Sequence, residues 1–178
     1  MNAFVEFPKI PRLSRECVIT EKIDGTNASV HISEDETIRA GSRTRWITPQ
    51  DDNYGFAAWV EANKTDLLKL GPGAHNGEWW GAGIQRRYGQ TEKHFSLFNT
   101  SLWGDDALRP ACCRVVPIVV QGIFTTELVD RALARLHVEG SLAAPGFMQP
   151  EGIVIYHTAL DGYFKKTILK DEVPKGKK

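Results

Sequence analysis

A lysine beside a turn is the residue of this chain with the clearest chemical potential. Lys22 follows a β-branched run at 17–20 and precedes Asp24 and Gly25. A neutral lysine amine is a nucleophile, but an ordinary lysine pKa of about 10.4 keeps the amine protonated near neutral pH. Nearby cations, burial or a metal ion would have to lower that pKa before attack. The alternative is a solvated turn lysine, which is the commoner state of a single lysine.

Other charged side chains could complement a phosphate group or a metal ion. Glu78 precedes two tryptophans, Glu151 precedes an apolar run at 153–155, and Lys165 and Lys166 lie in an apolar stretch at 163–169. Carboxylates suit Mg²⁺, and lysines suit phosphates. Taken singly, each carboxylate is as well explained as an ordinary exposed strand residue.

The element that must position Lys22 is a strand followed by a turn. The β-branched run at 17–20 predicts one strand, and alternation of Thr26, Ala28, Val30 and Ile32 predicts a second. Asp24 and Gly25 between them predict a tight turn, because Gly tolerates a positive φ and Asp bonds its own backbone. We therefore expect a β-hairpin with Lys22 at its corner.

Strand patterns dominate the rest of the chain, with two helical stretches. A helical face at 56–70, interrupted near Asn63, is stopped by the Gly-Pro-Gly at 71–73, and a second helix is expected from Thr125 with Gly140 beyond its end. Further strands are expected at 37–46, 75–80, 95–103, 115–123 with an edge or bulge at Pro117, 152–157 and 163–169. This order predicts an α+β fold of mainly antiparallel sheets. It contains neither a phosphate-binding P-loop nor a dinucleotide fingerprint.

Composition predicts one soluble domain. The chain has 178 residues, of which 42% are hydrophobic, and its 22 basic residues equal its 22 acidic residues. Contacts with a polyanion must therefore come from local patches such as Arg86, Arg87 and Lys93, which otherwise form a solvated polar loop. The three cysteines have neither metal-ligand spacing nor a disulfide pattern, and no apolar run reaches the length of a membrane span. We expect a cytoplasmic protein with no membrane association, and a polar, frayed tail at 173–178.

Five short motifs resemble those of the ATP-dependent RNA ligases, in the lysine nucleotidyltransferase superfamily that also contains DNA ligases and mRNA capping enzymes. Their joint order and spacing carry the resemblance, which covers residues 8–169. The motifs are Lys22-Ile-Asp24-Gly25, Ser42-Arg43, Gly77-Glu78-Trp-Trp-Gly81 with Gly83-Ile-Gln85, Glu151-Gly-Ile-Val-Ile155 and Phe164-Lys165-Lys166. An aromatic strand, Phe95-Ser-Leu-Phe98, follows the third motif.

The resemblance implies a nucleotidyltransferase domain, similar to ATP-grasp ligases, that uses ATP and Mg²⁺ or Mn²⁺. Lys22 would attack the α-phosphate of ATP and become a lysyl adenylate. The AMP would pass to an RNA 5′-phosphate, and a 3′-hydroxyl would displace it. Two alternatives remain open: a capping-type enzyme with another acceptor or nucleotide, and a non-catalytic nucleotide- or RNA-binding module.

The resemblance also implies a role for each site residue. The ATP site would contain Glu21, Lys22, Asp24, Gly25, Ser42, Arg43, Glu78, Phe95, Glu151 and Lys165. Glu151, with Asp24 as the weaker candidate, would bind the metal, and Phe95 would stack on adenine unless it is a core residue. Family members usually space the two lysines of the last motif as Lys-x-Lys, whereas Lys165 and Lys166 are adjacent and must point to opposite faces of a strand. We expect Lys165 to face the phosphate, because Lys166 shares its face with Phe164 and Ile168.

The substrate implied by the resemblance is a pair of RNA ends, free or held in a nicked duplex. The sequence ends soon after the last motif, without the extra C-terminal domain that related ligases use on nucleic acid. We therefore expect a single nucleotidyltransferase domain over 1–178 that seals RNA slowly by itself and is helped by an RNA-binding partner protein.

Overall fold

The computed structural model describes residues 3–172. Within these residues, ten strands, four α-helices and one 3₁₀ turn build two β-sheets with helices on their outer faces. The strands are β1 Glu16–Lys22, β2 Thr26–Ile32, β3 Ile38–Ser42, β4 Trp46–Ile47, β5 Gly73–Gly81, β6 Lys93–Leu97, β7 Cys113–Val115, β8 Ile118–Ile123, β9 Gly152–His157 and β10 Gly162–Thr167. The helices are α1 Phe56–Ala62, α2 Lys64–Leu67, α3 Thr100–Trp103 and α4 Thr126–Glu139, and the 3₁₀ turn is Leu68–Leu70.

The four-stranded sheet has the order β10-β9-β1-β8, and all its strand pairs are antiparallel. Alternate residues of β1 and β9, such as Ile19 and Ile153, are fully buried against α4. Thr125 caps α4 by accepting a hydrogen bond from the Leu128 amide, and Gly140 ends the helix. One face of this sheet is therefore closed by α4, which leaves the residues of opposite alternation on the other face.

The six-stranded sheet has the order β4-β3-β2-β5-β6-β7, with one parallel pair, β6 and β7. One face packs on α1 and α2, where Val30, Phe56, Leu67 and Phe95 are fully buried. We call the opposite face, which carries Asn27, Ser29, Asn76 and Glu78, the cleft face.

The α+β class with mainly antiparallel sheets is confirmed, and so are both helical regions. The predicted hairpin around Lys22 is wrong. β1 pairs with β8 and β9, whereas β2 pairs with β3 and β5, so the turn at 23–25 carries the chain from one sheet to the other. Local turn chemistry predicts that the chain bends, but only the distant pairing partners decide which strands meet.

Two further stretches that were each predicted to form one strand are interrupted in the structure. The stretch 95–103 ends as a strand at Leu97, after which the Asn99 side chain caps the short helix α3. The stretch 115–123 breaks at Pro117, which has no amide hydrogen to donate, and β7 and β8 lie in different sheets. Pro117 therefore marks a second crossing between the sheets, and it lies between two edge strands, which agrees with the edge alternative predicted from the sequence.

The tail expected to be frayed at 173–178 lies outside the described residues. Within residues 3–172, no helix is long and apolar enough to cross a lipid bilayer.

Candidate active site

Lys22 is the last residue of β1 and lies on the face of the four-stranded sheet opposite α4. Its neighbours Ile19 and Glu21 are buried toward the helix, so strand alternation turns Lys22 the other way. The Lys22 Nζ atom lies 2.6 Å from Glu151 Oε2, in an ion pair whose carboxylate side chain is only 2% exposed. The pairing of β1 with β9 brings the two residues together, since Lys22 is opposite Gly152.

The crossing at 23–25 is fixed by residues that follow β5. The Asp24 amide donates to the Tyr88 hydroxyl at 2.8 Å, and Arg86 Nε donates to Asp24 Oδ2 at 3.0 Å. Arg86 also donates from Nη1 to the Gln149 carbonyl at 2.8 Å. Arg86 thus connects the residues just after Lys22 to the segment just before Glu151.

Gly25 is required by close packing rather than by a positive φ. A Cβ atom at Gly25 would lie 2.4 Å from the Trp79 carbonyl oxygen and 2.8 Å from Trp80 Cβ. Its φ lies outside the left-handed region, which corrects the reason that the sequence suggested. The Gly25 amide donates to Glu78 Oε1 at 2.9 Å, so the absence of a side chain brings Glu78 against the crossing.

The pKa of the Glu78 carboxyl group is strongly perturbed. Burial raises the pKa of Glu78 from the ordinary 4.5 to about 7, although the nearby Lys22 charge and the Gly25 amide act in the opposite direction. The charges of Asp24 and Glu151 also act on it. Lys22, Asp24, Glu78 and Glu151 therefore form one electrostatic cluster, the kind of arrangement that is common at catalytic sites.

Glu21 does not belong to this cluster, which corrects its expected place in the ATP site. Its carboxylate is buried on the α4 side and accepts hydrogen bonds from the Ser141 hydroxyl and from the amides of Leu142 and Ala143, at 2.6–2.9 Å. Burial raises the pKa of Glu21, and these hydrogen bonds lower it. Its side chain holds the segment after α4 in place.

Phe95 is a core residue, and its expected role in stacking on adenine is wrong. Its ring is 0% exposed and packs on Phe56 with ring centroids 5.0 Å apart, on the face opposite the cleft. Phe98 has the opposite orientation. Its amide donates to the Asn76 carbonyl and its ring is 37% exposed, so Phe98 is the aromatic residue of this stretch that reaches the cleft.

An open pocket lies on the cleft face beside the cluster. It is lined by Asn27, Ala28, Ser29, Ser42, Arg43, Asn76 and Phe98. Asn27 Nδ2 is 3.5 Å from Glu78 Oε2, which makes the pocket continuous with the charged cluster. The structure thus brings Ser42 and Arg43 to the same pocket as Phe98. An aromatic ring, amides and a guanidinium are suitable for a nucleotide.

Lys165 and Lys166 point to opposite sides of β10. Lys166 Nζ lies 3.0 Å from Asp130 Oδ1 of α4, on the helix-covered side. Lys165 is paired with Val154, which is paired with Thr20, and these three residues share the face of Lys22. The register therefore places exposed Lys165 on the cleft side, as the sequence predicts, and Lys166 away from it.

The three basic residues suggested for RNA contact have different environments. Arg86 is engaged with Asp24 and Gln149, and Lys93 donates to the Tyr54 carbonyl at 2.7 Å on the α1 side of the sheet. Arg86 is therefore a structural residue rather than a loop contact for RNA, which corrects its assignment, whereas Lys93 is exposed and its contact with RNA stays a prediction. Arg87 is exposed, so its contact with RNA stays a prediction.

The carboxylates of the cluster have the right chemistry for a divalent cation but too few ligands for a complete cage. Within residues 3–172, no group of three or more His, Cys, Asp or Glu side chains could hold a metal ion by itself. Glu151 is the carboxylate beside Lys22, whereas Asp24 is paired with Arg86. A cation here would have to share Glu151 with oxygen atoms of a bound phosphate, as is usual for Mg²⁺.

Sequence reasoning missed three residues of the site. Tyr88 was expected in a polar loop, but it is 1% exposed and burial raises its pKa strongly. Asn27 and Phe98 line the pocket. Strand alternation from Thr26 identifies Asn27 as outward-facing, and the odd spacing of Phe95 and Phe98 places them on opposite faces. No local signal identifies Tyr88, because its burial depends on Ile23, Trp80 and Ala144 from three separate segments.

Comparison with known proteins gives a family match and a fold match. The chain matches the RNA ligase family over residues 15–170. It is similar in fold to three mutants of Naegleria gruberi RNA ligase, each 20% identical in sequence. The TM-scores are 0.66 for an apo form, 0.65 for a form with AMP and Mn, and 0.64 for a form with ATP and Mn. The matches cover 86%, 86% and 85% of this chain and 50%, 49% and 48% of the ligase chains, respectively. The chain thus spans about half the length of these ligases. No curated protein matches its sequence.

Proposed function

The chain belongs to the RNA ligase family, and we propose that it activates RNA ends by forming a covalent adenylate on Lys22 with ATP. The observation that carries the proposal is the position of Lys22, which ends β1 beside buried Glu151 and next to Glu78. A nucleophile held between two sheets, next to an open pocket with an aromatic ring and a guanidinium, suits attack on a nucleotide phosphate.

The residues of the site have different roles in this reaction. Glu151 holds the Lys22 amine at 2.6 Å and is positioned to take part in removing its proton. Lys165 and Arg43 supply positive charge toward the phosphates, and Phe98 offers a face for the adenine base. We propose that Asn27 and Glu78, whose side chains are 3.5 Å apart, bind the ribose.

A divalent metal ion, Mg²⁺ or Mn²⁺, would be held by Glu151 together with phosphate oxygens. When bound, it would neutralise phosphate charge, and Glu151 would be shared between the cation and Lys22. The Naegleria ligase structures with ATP or AMP contain Mn, which supports a divalent cation as the cofactor here.

The acceptor is proposed to be RNA. Lys22 would attack the α-phosphorus, form a phosphoramidate bond and release pyrophosphate. The 5′-phosphate of one RNA end would then take the AMP from Lys22, and the 3′-hydroxyl of another end would displace AMP to form the phosphodiester. Family membership supports RNA ends as the substrate class.

Mass spectrometry of the intact protein with ATP and a divalent metal tests the proposal. We expect a mass increase of one AMP, mapped to Lys22 and absent from Lys22→Ala and Lys22→Arg, because arginine stays protonated. The same reaction with GTP separates a ligase from a capping-type enzyme. An adduct on Lys9 or Lys69, or a GMP adduct alone, would contradict the proposal.

A further inference from the structure

An exposed aromatic and cationic cluster lies at the outer end of the cleft face. Trp46 is 46% exposed, whereas Trp79, Trp80 and Trp103 are 2%, 0% and 6% exposed. The Arg39 guanidinium carbon lies 3.9 Å from the centroid of the Trp46 ring, and the His31 ring meets it edge-on at 4.6 Å. We call His31, Arg39 and Trp46 the aromatic rim.

The aromatic rim is continuous with the open pocket on the cleft face. Asn27, Ser29 and His31 alternate along β2 on the cleft face, and His31 pairs with Arg39. A Cβ atom at Gly41 would lie 2.5 Å from Ser29 Oγ and 3.7 Å from Trp46 Cε3, so only a glycine separates the pocket wall from the indole. Asn27 and His31 are four residues apart, which is roughly 13 Å along a strand.

The aromatic rim is too exposed to be explained by core packing. Trp46 belongs to the two-residue edge strand β4, and the buried partner of that strand is Ile47. An indole that leaves almost half its surface in water contributes little hydrophobic stabilisation to the fold. Ordering the Arg39 side chain against it costs conformational entropy. Planar groups arranged this way are suited to stacking against a further planar group.

The charge around the aromatic rim favours a polyanion with planar bases. Neither Arg39 nor Arg43 forms an ion pair within residues 3–172, while the neighbouring Arg45 is paired with Asp51. The acidic turn at 34–36 joins β2 to β3 at the end where His31 and Arg39 lie, so it limits how far a phosphate chain could extend past the rim in that direction. Unpaired RNA bases stack on tryptophan and on arginine planes, and arginines contact the phosphates.

We propose that the aromatic rim stacks on an unpaired base of the RNA strand whose end is presented to Lys22. This proposal rests on the proposed function, because it takes RNA as the substrate. The pocket beside Asn27 and Glu78 holds the ATP-derived nucleotide, and the aromatic rim holds the RNA base further along the cleft face. Arg39 and Trp46 then act in RNA binding and not in the attack of Lys22 on ATP.

Tryptophan fluorescence of the intact chain tests this without requiring ligation. A single-stranded RNA oligonucleotide with a 5′-phosphate, added without ATP, should quench the emission of exposed Trp46 in a saturable way. Trp46→Phe should remove the quenching and retain RNA binding in a filter-binding assay. Arg39→Ala, which keeps the indole, should raise the RNA concentration needed for half-maximal quenching about tenfold, as loss of one stacking group does.

The controls separate this inference from the proposed function. Arg131→Ala removes the same charge from exposed α4 and should leave quenching within about twofold of wild type, as an uninvolved surface change does. Self-adenylylation with ATP should be equal in Arg39→Ala and wild type. Unchanged RNA affinity in Arg39→Ala and Trp46→Ala would overturn the RNA role of the rim while leaving the Lys22 chemistry intact. Quenching by ATP alone that Arg39→Ala weakens would assign the rim to the nucleotide substrate and also overturn it.

Discussion

At the scale of single residues, the site is a set of charges placed around one amine. Lys22 and Glu151 are 129 positions apart in the chain, yet their side chains are 2.6 Å apart. Lys22, Glu78, Glu151 and Lys165 could be identified from the sequence because their motifs occur in the right order. Glu21 and Phe95 were assigned to the site by their motifs, although strand alternation turns each side chain away from the cleft.

The two adjacent lysines of β10 should contribute unequally to adenylylation. Lys165→Ala should reduce the rate about a hundredfold, because it removes a charge on the Lys22 face that would stabilise the transferring phosphate. Lys166→Ala loses an ion pair with exposed Asp130, and such pairs have little effect. Single-turnover formation of the AMP adduct measures both rates. A larger loss in Lys166→Ala would reverse the assignment of the two faces.

Glu78 should make the folded protein less stable as the pH rises. Its pKa is about 7 in the folded state and 4.5 ordinarily, so the folded protein retains a proton that the unfolded chain loses between these values. The stabilisation is complete below pH 4.5 and is lost as the pH rises through 7. Glu78→Gln, which retains an acceptor for the Gly25 amide, should remove this loss, which we expect to be roughly 1–3 kcal/mol.

Urea unfolding of wild type and Glu78→Gln at pH 5 and pH 8 measures the difference. We expect the variant to gain stability relative to wild type at the higher pH. Parallel pH dependences for the two proteins would mean that Glu78 is ionised in the folded state throughout, and that its burial is compensated by the neighbouring Lys22.

At the scale of elements, the loop that follows β5 connects segments of the two sheets. Arg86 joins Asp24 to the carbonyl of Gln149, and Tyr88 accepts from the Asp24 amide. This loop was expected to be a solvated surface. Its sequence is polar and contains Gly89, which is typical of a loop, and only the packing of Tyr88 between separate segments reveals its structural role.

Arg86 should therefore matter far more than its neighbour Arg87. Arg86→Ala leaves Asp24 without its guanidinium partner, and we expect a loss of about 1–3 kcal/mol in unfolding free energy. Because the residues beside both Lys22 and Glu151 lose a connection, adenylylation should fall about tenfold or more. Arg87→Ala is the matched control, since it removes the same charge from an exposed side chain. Equal effects of the two substitutions on adenylylation would show that the loop acts through its charge alone.

Helices and strand positions were largely predictable at this scale, whereas strand partners were not. The patterns at 17–20 and 26–32 identify two strands, and the turn between them suggests a hairpin. Their pairing in separate sheets depends on β8 and β9, which are distant in the chain. Pro117 was recognised as a disturbance within a strand, but its crossing from one sheet to the other follows only from the whole topology.

At the scale of the whole molecule, charge balance should separate the two half-reactions. The chain has equal numbers of basic and acidic residues, so the proposed RNA binding would depend on local groups such as Arg39, Arg43 and Lys165. Few phosphate contacts give weak binding that salt reduces further. We expect sealing of a nicked RNA duplex to fall steeply between roughly 50 and 200 mM salt, while self-adenylylation changes little.

Rates of both reactions at the two salt concentrations, with the same protein preparation, measure this separation. A pre-adenylated RNA end should not remove the salt dependence of sealing, because that dependence comes from RNA binding. Efficient sealing at the higher salt concentration would mean that the described surface holds RNA much more tightly than its charge predicts.

The order of the strands also has a consequence for how the protein is made on the ribosome. All strands of the six-stranded sheet come from the continuous stretch 26–115, whereas β1 must wait for β8 and β9. The sheet that contains Asn27 and Glu78 can therefore form while the chain is still being translated, but Lys22 meets Glu151 only after 129 further residues have been added. A nascent chain would present a nearly complete pocket and an unassembled nucleophile, so the proposed reactivity toward ATP would be delayed until Glu151 has been translated.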